Sequence, residues 1–245
     1  MLEKVNLFCF PHAGGSSTIY SKWNSKTPAW LEVIPIELPG RGSRYSIELC
    51  SSMNEIINDV YNQIVSKNVN TPYFLFGHSM GGIIAYELYY KMLHSESPLP
   101  ECIIISSISP PHILKTEKKI HQLSKRLFLE EIQQYGGTPM ELLNDGDWLE
   151  FIMPILRSDF RIIENYEGIL RRKMNCDLHV IYEMQDELRE KQMKEWKQYS
   201  NKYCTFKAFY GGHFFIKDSE DIVVDHLTQT VNKIKKQYEI QGAQG

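Results

Sequence analysis

The sequence lacks a long hydrophobic run. No apolar stretch approaches the roughly 18 residues that a membrane-spanning helix requires, and the longest, such as 73–76 and 103–105, have the length of strands. Glu3, Lys4 and Asn6 interrupt the apolar residues at the start of the chain, so no secretory signal segment is predicted. We therefore expect a protein that does not contact a membrane and that is located in the cytoplasm.

The sequence also lacks a pattern of paired cysteines. There are five cysteines, an odd number, and no two of them form a C-x-x-C motif. This argues against a disulfide framework and against a cysteine-rich zinc site, and it suits the reduced thiols of the cytosol. We expect neither a metal nor an organic cofactor.

An excess of charge of one sign is absent as well. The chain has 27 Lys and Arg against 30 Asp and Glu, a formal net charge of −3, so no general attraction to nucleic acid or to anionic lipid is expected. With 42% hydrophobic and 23% charged residues, the 245 residues fit a single globular domain over 1–245. The sequence does not define an oligomeric state, and a monomer is our expectation.

Strand-like and helix-like segments alternate along the chain. The segments 5–10, 33–37, 73–77, 101–106, 178–182 and 204–210 are predicted to be strands. Several are continuous apolar runs, which are typical of strands buried on both faces of a parallel sheet. Helical spacing predicts helices at 53–65, with Ser51 or Ser52 as N-cap, at 82–93 and at 220–236. In the last helix the predicted apolar stripe consists of Ile222, Val223, Leu227, Val231 and Ile234. The alternation predicts an α/β fold with a parallel sheet between two layers of helices.

The stretch from about 110 to 173 interrupts this alternation. It opens with Pro110 and Pro111, and its pattern predicts several short helices separated at 136–139 and at Pro154. A helical insertion of this length is often a lid over a substrate site, which is our prediction here. The alternative is that it only covers one edge of the sheet.

A G-x-S-x-G motif at 77–81 places Ser79 between a predicted strand and a predicted helix. This strand–turn–helix context is that of a nucleophile elbow, in which glycines allow a strained turn and the helix N-terminus favours a developing oxyanion. Ser79 is therefore the predicted nucleophile. His78 precedes it in the sequence but is expected to point elsewhere and to be structural.

The partners of such a serine follow it in the order acid, then histidine. His213, directly after the last predicted strand, is the predicted base, and His226, inside the last predicted helix, is the alternative. Asp186, in the loop after the strand at 178–182, is the predicted acid that orients the imidazole. Glu183 and Glu187 in the same loop are its alternatives.

An oxyanion hole requires two backbone N–H groups. The residue after the nucleophile, Met80, is the first predicted donor. The glycine-rich loop at 11–16 supplies the second, for which Ala13 is favoured and His12 is the alternative. Because the spacing of this loop does not fit G-x-G-x-x-G, dinucleotide binding is not predicted.

Several separated motifs together resemble those of type II thioesterases, the stand-alone editing thioesterases of non-ribosomal peptide and polyketide synthases. They are F-P-H-A-G-G-S at 10–16, L-P-G-R-G at 38–42, G-H-S-M-G at 77–81, S-S-I-S-P-P at 106–111, G-G-T-P at 136–139, L-R-S-D-F at 156–160 and G-G-H-F-F at 211–215. They span nearly the whole chain.

The resemblance implies an α/β-hydrolase fold with a helical lid, and hydrolysis of acyl thioesters on the phosphopantetheine arm of carrier proteins. Such an enzyme clears stalled or wrong acyl groups, and its partners are acyl or peptidyl carrier domains. Carried over by motif, the triad is Ser79, Asp186 and His213. The loop around Asp186 departs from the family pattern, which usually contains glycine and often a second aspartate, whereas this chain has E-M-Q-D at 183–186.

Two other functions remain open on the sequence. The same triad would serve a small-substrate carboxylesterase or lipase, because the machinery suits oxygen esters and thioesters alike. A binding module that recognises carrier proteins without catalysis is the second alternative. A complete set of Ser79, Asp186 and His213 argues against it.

Overall fold

One sheet of six parallel strands organises the computed structural model, which describes residues 4–67, 71–114, 118–137, 145–168, 171–185 and 187–242. The strands are β1 (Val5–Phe10), β2 (Leu31–Pro35), β3 (Tyr73–His78), β4 (Cys102–Ser106), β5 (Asp177–Glu183) and β6 (Cys204–Phe209). Their order across the sheet is β2-β1-β3-β4-β5-β6, and each neighbouring pair is parallel. The predicted α/β fold is confirmed.

Helices connect the strands. In chain order they are α1 (Met53–Val65), α2 (Met80–His94), α3 (Lys125–Tyr135), α4 (Gly146–Glu164), α5 (Glu187–Lys194), α6 (Phe215–Asp218) and α7 (Glu220–Gly242). The prediction for α1 is confirmed at both ends, and Ser52 is its N-cap, with its hydroxyl accepting from the Glu55 N–H. Within the described ranges, no helix has the length and apolarity needed to cross a membrane.

Each face of the sheet has its own hydrophobic core. Side chains alternate along the strands, so that Phe8 and Leu75 enter one core with α1 and α2, while Leu7 and Phe76 enter the other with α7. This double burial explains the continuous apolar runs of the central strands β1, β3, β4 and β5. The edge strands β2 and β6 keep exposed positions, such as Glu32 and Lys207.

Three details differ from the sequence prediction. The strand predicted at 33–37 is Leu31–Pro35, because β1 pairs with these residues in register from Val5 with Leu31 onward. Pro154 does not separate two helices but lies inside α4, whose buried residues on either side keep the helix continuous despite the missing N–H. In α7, Ile222 is 65% exposed and Val224 is buried in its place.

The carboxyl ends of the strands meet at one edge of the sheet. Register pairs Phe10 with Gly77 and His78 with Ser106, so the loops after β1, β3 and β4 are neighbours. Ligands bind at this edge in open parallel sheets. The segment between β4 and β5, called the insertion below, contributes α3 and α4, which form a small hydrophobic cluster with Ile120. That the insertion acts as a lid stays a prediction.

A pair of histidines packs between the sheet and α7. The Nε2 atoms of His179 on β5 and His226 on α7 are 2.8 Å apart, and His179 Nδ1 lies 2.6 Å from the Thr205 hydroxyl. A hydrogen bond between two ring nitrogens needs one donor and one acceptor, so the two imidazoles are not both protonated. Burial, followed by the charge of His226, lowers the pKa of His179 to about 3.

This pair predicts a loss of stability in acid. The folded pKa of His179 lies below its unfolded value, so its contribution is complete above pH 6.5 and declines as the pH falls toward 3. We expect His179→Gln to lessen the drop in the free energy of unfolding between pH 7 and pH 5 by about 1–2 kcal/mol, measured by urea titration. An unchanged drop would show that the pair does not titrate with unfolding.

Candidate active site

A sharp turn between β3 and α2 carries Ser79. Its φ of 54° and ψ of −122° lie outside the regions that L-residues ordinarily adopt, and strained backbone of this kind concentrates at functional sites. The Ser79 N–H donates to the Ser106 carbonyl at 2.7 Å, which fixes the turn to β4. The predicted nucleophile is therefore at the N-cap of α2, where the helix dipole favours negative charge.

Two glycines of the motif are required by close backbone approach. A Cβ at Gly77 would lie 1.9 Å from the Gly81 carbonyl oxygen, and a Cβ at Gly81 would lie 2.2 Å from the Phe10 carbonyl oxygen. Neither distance can be relieved by rotating a side chain, since the opposing atoms belong to the backbone. The helix can pass this close to β1 and β3 only because these positions have no side chain.

The predicted nucleophile and base line one cavity. Ser79 and His213 both border a cavity of about 970 Å³ at the carboxyl edge of the sheet, a size suited to a small-molecule substrate. His213 follows β6, and its ring centroid is 5.1 Å from that of His78. His78 itself is fully buried and its Nδ1 lies 2.9 Å from the Ser106 hydroxyl, in agreement with a structural role.

The surroundings of His213 favour its neutral form. Burial lowers the pKa of the imidazole, the charge of Glu183 raises it, and Arg189 lowers it again, with a net decrease from the ordinary value. A neutral imidazole is the form that can accept a proton from a hydroxyl.

The candidates for the acid have different positions. Asp186, the predicted residue, lies outside the described residues. Glu183, at the end of β5, borders the cavity and is buried; its carboxylate accepts from the Ser107 hydroxyl at 2.6 Å and from Arg189 Nε at 2.9 Å. Glu187 is exposed at the start of α5. Glu183 is thus the described carboxylate of this loop that borders the cavity.

Ser107 is a residue that the sequence analysis did not single out. It is buried, has a φ of 54°, and donates its N–H to the Ile181 carbonyl at 3.0 Å while its hydroxyl holds Glu183. It belongs to the S-S-I-S-P-P motif, but a sequence pattern does not indicate which serine has a positive φ. The alternative base, His226, is paired with His179 away from this cavity.

The loop after β1 folds back on itself beside Ser79. The Gly15 N–H donates to the His12 carbonyl at 2.9 Å, and His12 Nδ1 lies 2.9 Å from the Ala13 carbonyl. Burial lowers the pKa of His12 to about 4, so its ring is neutral where it packs against Phe214.

Two residues that border the cavity have backbone N–H groups that take no part in the hydrogen bonds of the described residues. Met80 is the first residue of α2, and Ala13 lies in the loop after β1; both border the cavity. Among the hydrogen bonds made by the described part of the chain, none uses the N–H of either residue. An oxyanion hole requires two such donors beside the nucleophile, so Met80 and Ala13 stay the predicted donors.

Buried carboxylates hold the rest of this loop. Asp159 of α4 accepts from the Gly14 N–H at 2.7 Å and forms a two-point ion pair with Arg41. Glu37 accepts from the Ser17 N–H at 3.0 Å and from the hydroxyls of Ser16 and Ser17. The motifs at 38–42 and 156–160 contain two of these residues, yet no sequence pattern connects positions 118 residues apart.

The charged side chains on the cavity wall are paired with one another. Glu131 pairs with Lys118, Glu164 with His121, and Glu183 with Arg189. The charges of Glu131 and Glu183 are therefore compensated by a lysine and an arginine that also border the cavity. Within the described ranges, no three His, Cys, Asp or Glu side chains are grouped so that they could hold a metal ion.

The chain is similar in sequence and in structure to known thioesterases. The family described as Thioesterase domain matches residues 5–234. Thioesterase PikA5 of Streptomyces venezuelae is 28% identical over 231 residues, which cover 92% of this chain and 82% of that protein.

Two solved structures are also similar over most of their length. ClbQ from the colibactin NRPS/PKS pathway is 29% identical with a TM-score of 0.90, over 95% of this chain and 99% of that one. The type II thioesterase BorB from the borrelidin biosynthetic cluster is 26% identical with a TM-score of 0.82, over 92% of each chain.

Proposed function

Because this chain belongs to the thioesterase domain family, we propose that it hydrolyses acyl or aminoacyl thioesters on the 4′-phosphopantetheine arm of carrier-protein domains. In this role it removes wrong or stalled acyl groups from a non-ribosomal peptide or polyketide synthase. The observation that carries the proposal is the cavity that a strained Ser79, a half-buried His213, Met80 and Ala13 border together. Relatives from such pathways support the choice of substrate.

In the proposed mechanism, His213 accepts the proton of the Ser79 hydroxyl as the oxygen attacks the thioester carbonyl. The Met80 and Ala13 N–H groups stabilise the oxyanion of the tetrahedral intermediate. The C–S bond breaks, the thiol leaves with the proton from His213, and an acyl-Ser79 ester forms. Water, deprotonated by His213, then attacks this ester and releases the carboxylic acid and free Ser79.

Asp186 is the proposed orienting acid of this triad. Its position in the chain, after β5 and before His213, is that of the acid in α/β hydrolases. Its carboxylate would fix the imidazole tautomer and stabilise the imidazolium without taking up the proton. No metal or organic cofactor is needed in these steps, because the substrate itself brings the phosphopantetheine.

The pKa of His213 predicts how the rate depends on pH. Because the base must be neutral, kcat/KM falls as the pH drops through its pKa, and the decreased pKa places the midpoint of this fall below 6.5. Glu183 raises this pKa, so we expect Glu183→Gln to shift the midpoint further toward acid. The pH dependence of kcat/KM for acetyl-pantetheine measures both values. A midpoint above 6.5, or a shift toward base in the variant, would contradict the assignment.

Matched thioester and oxygen-ester substrates test the proposed reaction against the esterase alternative. We expect kcat/KM for acetyl-phosphopantetheinyl carrier protein to exceed that for an acetyl ester of equal acyl length by at least about 100-fold, because an enzyme discriminates by differential transition-state binding. Equal values would favour a general esterase. Rapid fluorophosphonate labelling of Ser79 is expected in both cases, and its absence would favour the non-catalytic carrier-binding alternative.

A further inference from the structure

A buried ion pair joins the insertion to the loop after β2, and both of its members also contact the loop after β1. Arg41 Nη1 and Nη2 donate to the two carboxylate oxygens of Asp159 at 2.6 and 2.8 Å, and the side chains are only 5% and 2% exposed. Arg41 lies in the loop that follows β2, and Asp159 lies in α4. A buried pair of this kind is poor evidence for stability, since desolvation offsets much of the attraction. The other contacts of the pair indicate a role besides stability.

Both members of the pair also bind the loop backbone. Asp159 Oδ2 accepts from the Gly14 N–H at 2.7 Å, and Arg41 Nη1 donates to the Gly15 carbonyl at 3.1 Å. Gly14 has a φ of +74°, and Leu156 of the same helix packs so closely that a Cβ at Gly14 would lie 2.2 Å from its Cδ2. The pair thus binds the peptide groups on both sides of the Gly14–Gly15 peptide, one through its N–H and the other through its carbonyl.

The first of these peptide groups adjoins the proposed oxyanion donor. The Asp159 carboxylate accepts from the N–H of Gly14, directly after Ala13, and Ala13 borders the cavity that contains Ser79. The bond to the carboxylate restrains the peptide next to the one that contains the Ala13 N–H, and the Gly15 N–H holds the His12 carbonyl of that second peptide at 2.9 Å. The oxyanion hole works only if its donor is already oriented when negative charge develops.

We propose that the Arg41–Asp159 pair is a clamp that holds the loop after β1 in the shape that presents the Ala13 N–H to the oxyanion. Asp159 is a positioning residue, because it acts through Gly14 and does not touch the substrate. The clamp also makes the geometry of the oxyanion hole depend on the position of α4, and hence of the insertion. This inference rests on the proposed function.

The double variant Arg41→Met/Asp159→Leu tests the clamp. It removes both charges together, so no unpaired charge is buried and the fold is expected to persist. The Gly14 N–H loses its acceptor, and we expect kcat for acetyl-pantetheine to fall by about 10²-fold with KM unchanged, since small misplacements of catalytic groups have effects of this size. Asp159→Asn, which keeps one acceptor oxygen, is expected to lose about tenfold.

Ser158→Ala is the matched control. The Ser158 hydroxyl donates to the Cys50 carbonyl at 2.8 Å, so this variant weakens the attachment of the same helix turn without touching the loop. Its kcat is expected to stay within about twofold of the wild-type value.

Inhibitor binding separates positioning from a merely structural role. A trifluoromethyl ketone forms a tetrahedral adduct with Ser79 that uses the oxyanion hole, so its inhibition constant should rise by the same factor as kcat falls. A thioether analogue of the substrate lacks the oxyanion, and its inhibition constant should not change. The rate of fluorophosphonate labelling of Ser79 should fall as well, which tests the clamp even if the wild type proves inactive on thioesters.

The clamp is refuted if Asp159→Asn and every folded form of the double variant keep kcat and the ketone inhibition constant within about twofold of wild type. A rise in KM with kcat unchanged would also overturn it, because the pair would then serve substrate binding. A wild type that fails on thioesters but shows the labelling effect would instead refute only the proposed function.

Discussion

Replacing Ser79 with alanine is expected to lower kcat for thioester hydrolysis by about 10⁴- to 10⁶-fold, as losses of serine nucleophiles do in other hydrolases. The effect is this large because no covalent intermediate can form, and His213 and the oxyanion donors alone supply only a small part of the wild-type rate. Alanine keeps the Cβ and the strained backbone of the elbow, so the melting temperature should stay close to that of the wild type.

The assay follows thiol release from acetyl-pantetheine under saturating substrate. Ser66→Ala is the matched control, because Ser66 is an exposed serine at the end of α1 whose hydroxyl only donates to the Gln63 carbonyl. Its kcat should equal that of the wild type. If Ser79→Ala kept more than about a tenth of wild-type kcat, the serine mechanism would be wrong.

Gly81→Ala is expected to destabilise the fold by about 4 kcal/mol or more, a large part of the stability of an ordinary domain. The new Cβ would meet the carbonyl oxygens of Phe10 and Pro11 at 2.2 and 2.8 Å. Because both atoms are backbone, α2 and the end of β1 would have to separate. Activity should be lost in any folded fraction, since this movement also displaces the loop that carries Ala13.

Gly146→Ala is the control for this prediction. Apart from its chain neighbours and its own helix turn, no atom of the described residues lies within 4 Å of a Cβ built at Gly146, the first residue of α4. Alanine there is expected to be neutral or to stabilise by up to about 1 kcal/mol, because it reduces the entropy of the unfolded chain. Urea unfolding of both variants measures the difference. Equal midpoints for Gly81→Ala and the wild type would contradict the packing of the elbow described above.

Local sequence patterns were enough to predict where the strands lie along the chain and where the elbow is. Apolar runs locate the strands because both faces of the sheet are covered, and the G-x-S-x-G motif locates Ser79 because few residues fit so tight a turn. The strand β2 was misplaced by two residues because its apolar run continues past Pro35, and pairing with β1 decides where it ends. The continuity of α4 through Pro154 likewise depends on packing that the sequence does not display.

The hydrogen bonds and ion pairs of the charged side chains around the site could not be predicted from sequence patterns. Arg41 and Asp159 meet across 118 residues, and Ser107 reaches Glu183 across 76. Such contacts arise from the juxtaposition of loops at the carboxyl edge, which only the complete sheet defines. Arg41, Ser107 and Asp159 lie in motifs that resemble those of type II thioesterases, but the motifs did not indicate which residues would pair.

The most direct test of the central claim is intact-mass analysis of an acetyl-phosphopantetheinyl carrier protein incubated with the wild type or with Ser79→Ala. The account predicts that the wild type removes the acetyl mass and leaves the phosphopantetheine in place, while the variant leaves the acyl carrier unchanged. If the wild type leaves acetyl and longer acyl loads intact on carrier proteins, the thioesterase function proposed here is contradicted.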